Sequence, residues 1–261
     1  MWLGASAQAA PSAELWDRWL AEAPDSERSI DHGPWQVLLD RYLVPADDGV
    51  NRFDYAAVGE TDVGALHGYL DALATTPISD CARDEQLPYW INLYNALTVR
   101  VILEHYPVDG IRDIDTSPGF FSDGPWGQVL LSIEGEEISL DDIEHRILRP
   151  IWQDPRLHYV LNCASVGCPQ LNAEAFTRAN AERLLDESAR AFVNHSRGVA
   201  IGRRGLTLSS LYDWYGDDFG EDEAGILAHI ADYAAPPLAE ALASGAEVYD
   251  YDYDWRLNDV R

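Results

Sequence analysis

Leu87-Pro-Tyr-Trp-Ile-Asn-Leu-Tyr-Asn-Ala-Leu-Thr-Val99 forms the centre of the longest periodic segment in this 261-residue chain. From Asp84 to His105, Leu87, Trp90, Ile91, Tyr94, Leu97, Val101 and Ile102 recur three or four residues apart, the spacing of one broad helix face. Pro107 ends the pattern. A face that wide needs several elements against it. Ser12 to about Leu43 reads as helical in two pieces, with Pro34 suited to a first turn. Thr61-Asp62 can cap a helix through Val63, Leu66, Leu70 and Leu73. Ala173 to Asn194 is amphipathic, with Phe176, Leu184, Leu185, Ala189 and Phe192 inward.

The strand signals are short. Val129, Leu131 and Ile133 alternate before Glu134-Gly135, a turn, and Ile138 closes a hairpin. Ser139 then caps a helix over Leu140 to Arg149, stopped by Pro150. Leu157 to Cys163 is an apolar run suited to a buried strand. Leu206 and Leu208 suggest another, and Val248 to Trp255 alternates strictly. The pattern predicts one α+β domain over residues 11–261, its helices packed around a small, mainly antiparallel sheet.

Composition limits the partners. There are 45 acidic side chains against 18 basic ones, all arginine, for a net charge of −27. A nucleic acid needs a basic footprint, which this chain lacks. The hydrophobic fraction of 47% and nine tryptophans support a folded core rather than disorder. Abundant acid without lysine suits a halophilic protein, since salt screens self-repulsion, and equally a genome rich in arginine codons. No apolar run reaches membrane-spanning length. Ala7-Gln8-Ala9 has the small-x-small form of a signal-peptidase site, so residues 1–10 read as a signal-peptide remnant and the protein as periplasmic or secreted.

Chemistry points to two stretches that carry no acid or base apart from one histidine. One is Leu87 to Val99, with Asn92 and Asn95 on one helix face; the other is Leu157 to Gln170, with His158, Asn162, Cys163 and Ser165. Buried amides need partners, so these mark a polar network or a site. Cys163 opens the small-residue turn Ala164-Ser165-Val166-Gly167, whose backbone N–H groups could activate a thiol and hold an oxyanion. It could equally be inert packing, or pair with Cys168. On a strand, His158 would lie roughly 16 Å from Cys163 on the opposite face, out of reach. His145 is the candidate base, with Asp141 or Glu144 to orient it and Arg149 to bind a substrate carboxylate. A merely solvated charged helix face is the alternative. No metal-binding motif, phosphate loop or nucleophile elbow occurs, so neither a metal nor a cofactor is expected.

Taken in order, Tyr89-Trp-Ile-Asn-Leu-Tyr-Asn-Ala96, Leu140-Asp-Asp-Ile-Glu-His-Arg-Ile-Leu-Arg149, Asp154-Pro-Arg-Leu-His-Tyr-Val-Leu-Asn-Cys-Ala-Ser-Val-Gly-Cys-Pro169 and Tyr253-Asp-Trp-Arg-Leu-Asn258 resemble the family catalogued as domain of unknown function 547. The resemblance runs from about residue 35 to 258. It implies export, as in many bacterial members, and thiol or glutathione chemistry, since some eukaryotic relatives are fused to glutaredoxin-like domains. A looser similarity is to papain and transglutaminase-like folds, in which residues 88–100 would be the nucleophile helix and 157–161 the His158 strand. That helix has no Cys or Ser here.

Two functions from different classes follow. The first is a thiol-dependent enzyme, performing acyl transfer, hydrolysis or thiol exchange on a small peptide-like or glutathione-like substrate. In it Cys163 is the nucleophile, His145 the base and Glu144 its orienter, with Arg149, Asn92, Asn95, Asn162, Ser165 and His158 binding substrate. The second is a non-catalytic domain of the cell envelope that binds a small thiol or peptide.

Overall fold

Arg83–His105 is one helix, and every residue from Glu85 to Val99 is buried. The sequence pattern predicts one apolar face; the structure surrounds the helix on all sides. The polar residues on its other faces, Asn92, Asn95 and Thr98, are buried as well. A helix covered all round is the axis of a domain rather than its wall. Asp84 and Glu85 in the first turn complement the helix dipole.

The computed structural model describes residues 11–118, 124–220 and 222–260, and the fold is α+β. The Ala7-Gln8-Ala9 segment lies outside the described residues. The chain gathers into two compact units, one built from Ala13–Ser188 with Asp254–Arg261, the other containing Ala189–Tyr253.

In the first unit, α1 (Gly33–Tyr42) starts with Pro34 in its first turn, as expected. It leads into the antiparallel pair β1 (Leu43–Pro45) and β2 (Asn51–Phe53). Helix α2 (Glu60–Ala74) packs between α1 and the central helix, α3 (Arg83–His105). The core joins Trp35, Leu70, Trp90, Leu97, Ile143 and Leu185, among others. Strands β3 (Leu131–Ile133) and β4 (Glu136–Ile138) form the expected hairpin. Glu134 and Gly135 both take positive φ, at 49° and 87°, as a two-residue turn of this twist requires. The Glu134 carboxylate accepts from the Ser79 N–H and hydroxyl and from Arg18, which ties the turn down.

Several local expectations fail. Thr61-Asp62 lies inside α2, whose N-cap is Gly59, and of the first helical piece after Ser12 only a 3-10 turn, Asp17–Leu20, forms. Pro150 does not end the helix after β4: a π-helix over Asp142–Leu148 runs directly into α4 (Arg149–Trp152), with Pro150 in its first turn. Leu157 to Cys163 is not a strand. The Asp154 side chain accepts from the Arg156 N–H, and Pro155 follows as a first helical residue, so Pro155–Tyr159 coils into a 3-10 helix. An apolar run of this length suits buried helix and buried strand alike. The papain-like picture loses its His158 strand.

Helix α5 (Ala181–Val193) is shorter than the pattern predicts, because residues 173–180 form turns against α3. In the second unit, β5 (Val199–Ile201), β6 (Leu206–Ser209) and β7 (Val248–Asp252) lie in that order. The β5–β6 pair is antiparallel and β6–β7 is parallel, within the mainly antiparallel arrangement that the sequence predicts. A parallel pair needs a long crossover. The four short helices α6 (Leu211–Trp214), α7 (Gly216–Phe219), α8 (Glu223–Tyr233) and α9 (Leu238–Ala243) lie along it. A register shift opposite Leu206/Thr207 skips Tyr249, so the strict Tyr/Asp alternation does not become a clean in–out pattern.

One buried histidine predicts a pH dependence of folding. His32 is enclosed, its Nδ1 2.7 Å from the Tyr69 hydroxyl, and burial, partly opposed by Asp31, pushes its pKa down to about 4. The folded state keeps the ring neutral while the unfolded chain takes a proton near 6.5. The contribution is therefore complete above pH 6.5 and is lost as pH falls through 4. Between pH 7 and 4.5 it amounts to about 2–3 kcal/mol. Urea midpoints at the two pH values should converge for His32→Gln more than for the native chain. Equal losses in both would assign the acid sensitivity elsewhere.

Candidate functional site

Residues 139–152 form the first candidate group. Ser139 N–H donates to Asp142 Oδ2 at 3.0 Å, and Asp142 N–H donates to Ser139 Oγ at 3.1 Å, a reciprocal cap. The Arg149 N–H reaches back to the Glu144 carbonyl, the i→i+5 bond of a π-helix. Such widened turns gather at functional sites. Pro150 explains how the widening persists, for it has no N–H to offer the preceding turn. The carbonyls it leaves are taken by another segment: Glu14 N–H donates to His145 O at 2.9 Å and Trp16 N–H to Arg146 O at 3.0 Å.

This turn buries Glu144, His145 and Arg149 together. Tyr94 on α3 donates its hydroxyl to Glu144 Oε2 at 3.0 Å, and His158 Nδ1 lies 3.9 Å from Glu144 Oε1. Arg149 Nη1 lies 3.0 Å from His145 Nδ1. Arginine has no acceptor, so Nδ1 must accept, and the neutral ring carries its proton on Nε2. That nitrogen lies 3.7 Å from Asp141 Oδ1. Burial first, then the charges of Glu144 and Asp142, push the Asp141 carboxyl up to about 6. The expected base therefore stands as an Nε2–H donor, because its one acceptor lone pair, on Nδ1, is already directed at Arg149.

The second candidate group is the loop after the 3-10 helix. Asn95 Oδ1 accepts the Asn162 N–H at 2.8 Å while its Nδ2 donates to the Val160 carbonyl at 2.9 Å. The Asn162 side chain accepts the Ala164 N–H at 2.9 Å and donates to the Pro169 carbonyl at 2.7 Å. One amide thus joins the residue before Cys163 to the residue after Cys168. Ala164 takes a left-handed φ of 58°, held by that asparagine turn.

The closure brings two thiols together. Cys163 Sγ lies 2.8 Å from Cys168 Sγ and 3.3 Å from Ser165 Oγ, and the Cys163 N–H donates to Cys168 Sγ at 2.9 Å. No disulfide joins them. Cys163 is half-buried and Cys168 fully buried. Cys81, the third cysteine, lies in the core with its thiol pushed up by burial.

Five N–H groups in and beside the turn are committed to other acceptors, so they are not the oxyanion donors that the sequence suggests. The N–H groups of Cys163, Ala164, Val166, Gly167 and Cys168 are bonded to Cys168 Sγ, Asn162 Oδ1 and the carbonyls of Arg256, Asp254 and Ser165. The three asparagines also differ from the substrate-binding role expected of them. Asn92 holds the backbone of Phe176 from both sides, at 2.7 and 3.0 Å, and Asn95 and Asn162 hold the thiol loop. Among the described residues, no group of three or more His, Cys, Asp and Glu side chains is placed to hold a metal ion.

Residues 78–193 match the family model described as a protein of unknown function, DUF547. The DUF547 segment contains α3, the π-helix and the thiol loop, which are the parts just described. No curated protein and no solved structure matches the chain. Of the partners of these candidate residues, the sequence conceals Tyr94 and offers Cys168 only as a pairing alternative for Cys163. Tyr94 reads as one more apolar position, since nothing in helical spacing reveals a hydroxyl reaching Glu144 fifty residues on. Cys168 has a visible signal, the four-residue gap to Cys163 with a glycine inside it, but the gap alone does not bring sulfurs together. Asn258, outside the DUF547 segment, also reaches this loop.

Proposed function

We propose that the protein is a thiol enzyme that exchanges disulfides, with Cys163 the attacking thiol and Cys168 the resolving one. The observation that carries this reading is the 2.8 Å separation of the two sulfurs in a closed loop. The half-buried position of Cys163 suits attack on a substrate, and the buried Cys168 suits attack on Cys163. The Cys163 thiolate attacks one sulfur of a small disulfide; the substrate S–S bond breaks, and one half leaves as a thiolate that takes a proton. Cys168 then attacks Cys163 Sγ and expels the second half. The protein dithiol becomes a disulfide, the substrate disulfide becomes two thiols, and a second thiol pair from solution restores the enzyme.

Exchange is favoured over acyl transfer because it needs no oxyanion hole, and the turn's N–H groups are otherwise committed. Ser165 Oγ, 3.3 Å away, is placed to donate to a Cys163 thiolate. His145, kept as the Nε2–H tautomer, donates a hydrogen bond to the departing thiolate, which takes its proton from solvent, and Arg149 binds a carboxylate of a glutathione-like substrate. An exported location, where disulfides persist, agrees with such a substrate. Turnover of oxidised glutathione with a dithiol reductant tests the reading: Cys163→Ser and Cys168→Ser should each abolish it. Ligand affinity that survives both changes, without turnover in any form, would make the protein a binding domain instead.

A further inference from the structure

We infer that Asn258 is a positioning residue for the thiol pair, acting through Asn162 from a C-terminal strap laid across the loop; this rests on the exchange reading. The strap lies antiparallel to the loop. Asp254 and Arg256 carbonyls accept the Gly167 and Val166 N–H groups, both at 2.8 Å, and the Asn258 N–H donates to the Ala164 carbonyl at 3.0 Å. Ser165 and Leu257 form an antiparallel bridge between them. The strap is itself anchored, by Leu257 N–H to Asp109 O at 2.8 Å and by Phe53 N–H to Asn258 O at 2.9 Å.

Side chains continue the connection inward with a fixed direction. Asn258 Nδ2 donates to Asn162 Oδ1 at 3.3 Å, and Asn258 Oδ1 accepts from the Tyr55 hydroxyl at 2.8 Å. The Pro169 carbonyl can only accept and the Ala164 N–H can only donate, so the Asn162 amide has one orientation. Asn258 must then offer its NH₂ to Asn162 and its oxygen to Tyr55, which must donate. Every amide in this buried chain is oriented by its neighbours, and its far end is the bond that closes the loop between the two cysteines. Without the Asn258 donor, Asn162 keeps its local turn but loses its brace against the strap. The loop then samples wider separations of the sulfurs, and the effective concentration of one thiol at the other falls.

The test is the dithiol–disulfide equilibrium of the full chain in reduced and oxidised glutathione buffers, read by alkylation and peptide mapping. Asn258→Ala should disfavour the Cys163–Cys168 disulfide by about 10-fold, and Tyr55→Phe should do so in the same direction by a smaller factor. Tyr89→Phe is the control: it removes another buried tyrosine hydrogen bond, to the Leu73 carbonyl at 3.0 Å, away from the loop. It should lower the melting temperature and leave the equilibrium unchanged. If Asn258→Ala fails to fold, Tyr55→Phe decides. Equilibria of both loop variants within twofold of the native chain would overturn the positioning role while leaving exchange intact. A native chain that forms no such disulfide would overturn both.

Discussion

Cys168→Ser should turn the protein into a trap: on exposure to oxidised glutathione, glutathione stays attached to Cys163 and turnover falls by about a hundredfold or more. The argument is geometric. In the native chain the second sulfur lies 2.8 Å from the first, held by the Asn162 bridge between residues flanking the pair. Resolution is then intramolecular, and a serine hydroxyl in the same place cannot attack a disulfide at neutral pH. Cys163→Ser should show neither adduct nor turnover, because the two remaining thiols, Cys81 and Cys168, are buried. Mass spectrometry of the two variants separates the roles. An adduct on Cys168 in the Cys163→Ser chain would reverse them, and rapid clearance of the adduct in Cys168→Ser would remove the resolving step.

Arg149→Met should raise KM for oxidised glutathione by about 10–100-fold, more than it lowers kcat, and release the histidine beside it. Arg149 is buried, and its Nη1 is 3.0 Å from His145 Nδ1. Methionine retains much of the aliphatic volume, so the change tests the guanidinium rather than the packing of its stem. The direct readout is the imidazole ¹⁵N spectrum. In the native chain the neutral ring should show a protonated Nε2 and a bare Nδ1; in Arg149→Met the two tautomers should mix, and the ring should take up a proton at higher pH. An unchanged tautomer with an unchanged KM would mean that Arg149 neither orients His145 nor meets substrate.

Much of the fold is legible in the residues themselves. The α3 period, Pro34 at the start of α1 and the Glu134-Gly135 hairpin are local signals whose causes lie within a few positions. What escapes is set at a distance. Whether a helix is covered on one face or all round depends on how many elements reach it, so Asn92 and Asn95 look like a possible site and prove to be ties to Phe176, Val160 and Asn162. The π-turn depends on Pro150 together with Glu14 and Trp16, more than a hundred residues upstream, which take the released carbonyls. The apolar run after Asp154 has the composition of a strand and the capping of a helix, and the capping decides.

The candidate site divides in the same way. Cys163, His145, Glu144 and Arg149 stand out because they are reactive or charged residues beside neutral stretches. Their partners do not. The tautomer of His145 follows from Arg149, the acceptors of the turn N–H groups lie on the strap at 254–256, and the brace on Asn162 comes from Asn258 and Tyr55. These long-range bonds are what favour, in the reading proposed above, thiol exchange among the acyl transfer, hydrolysis and exchange that the sequence leaves open.

The most direct measurement is a disulfide map of the intact native chain after treatment with excess oxidised glutathione. The account predicts a chain lighter by two hydrogens, with the peptides bearing Cys163 and Cys168 linked, no glutathione attached there, and Cys81 still a thiol. A stable glutathione adduct on Cys163 beside an unreacted Cys168, or two thiols that both remain unoxidised, would contradict it.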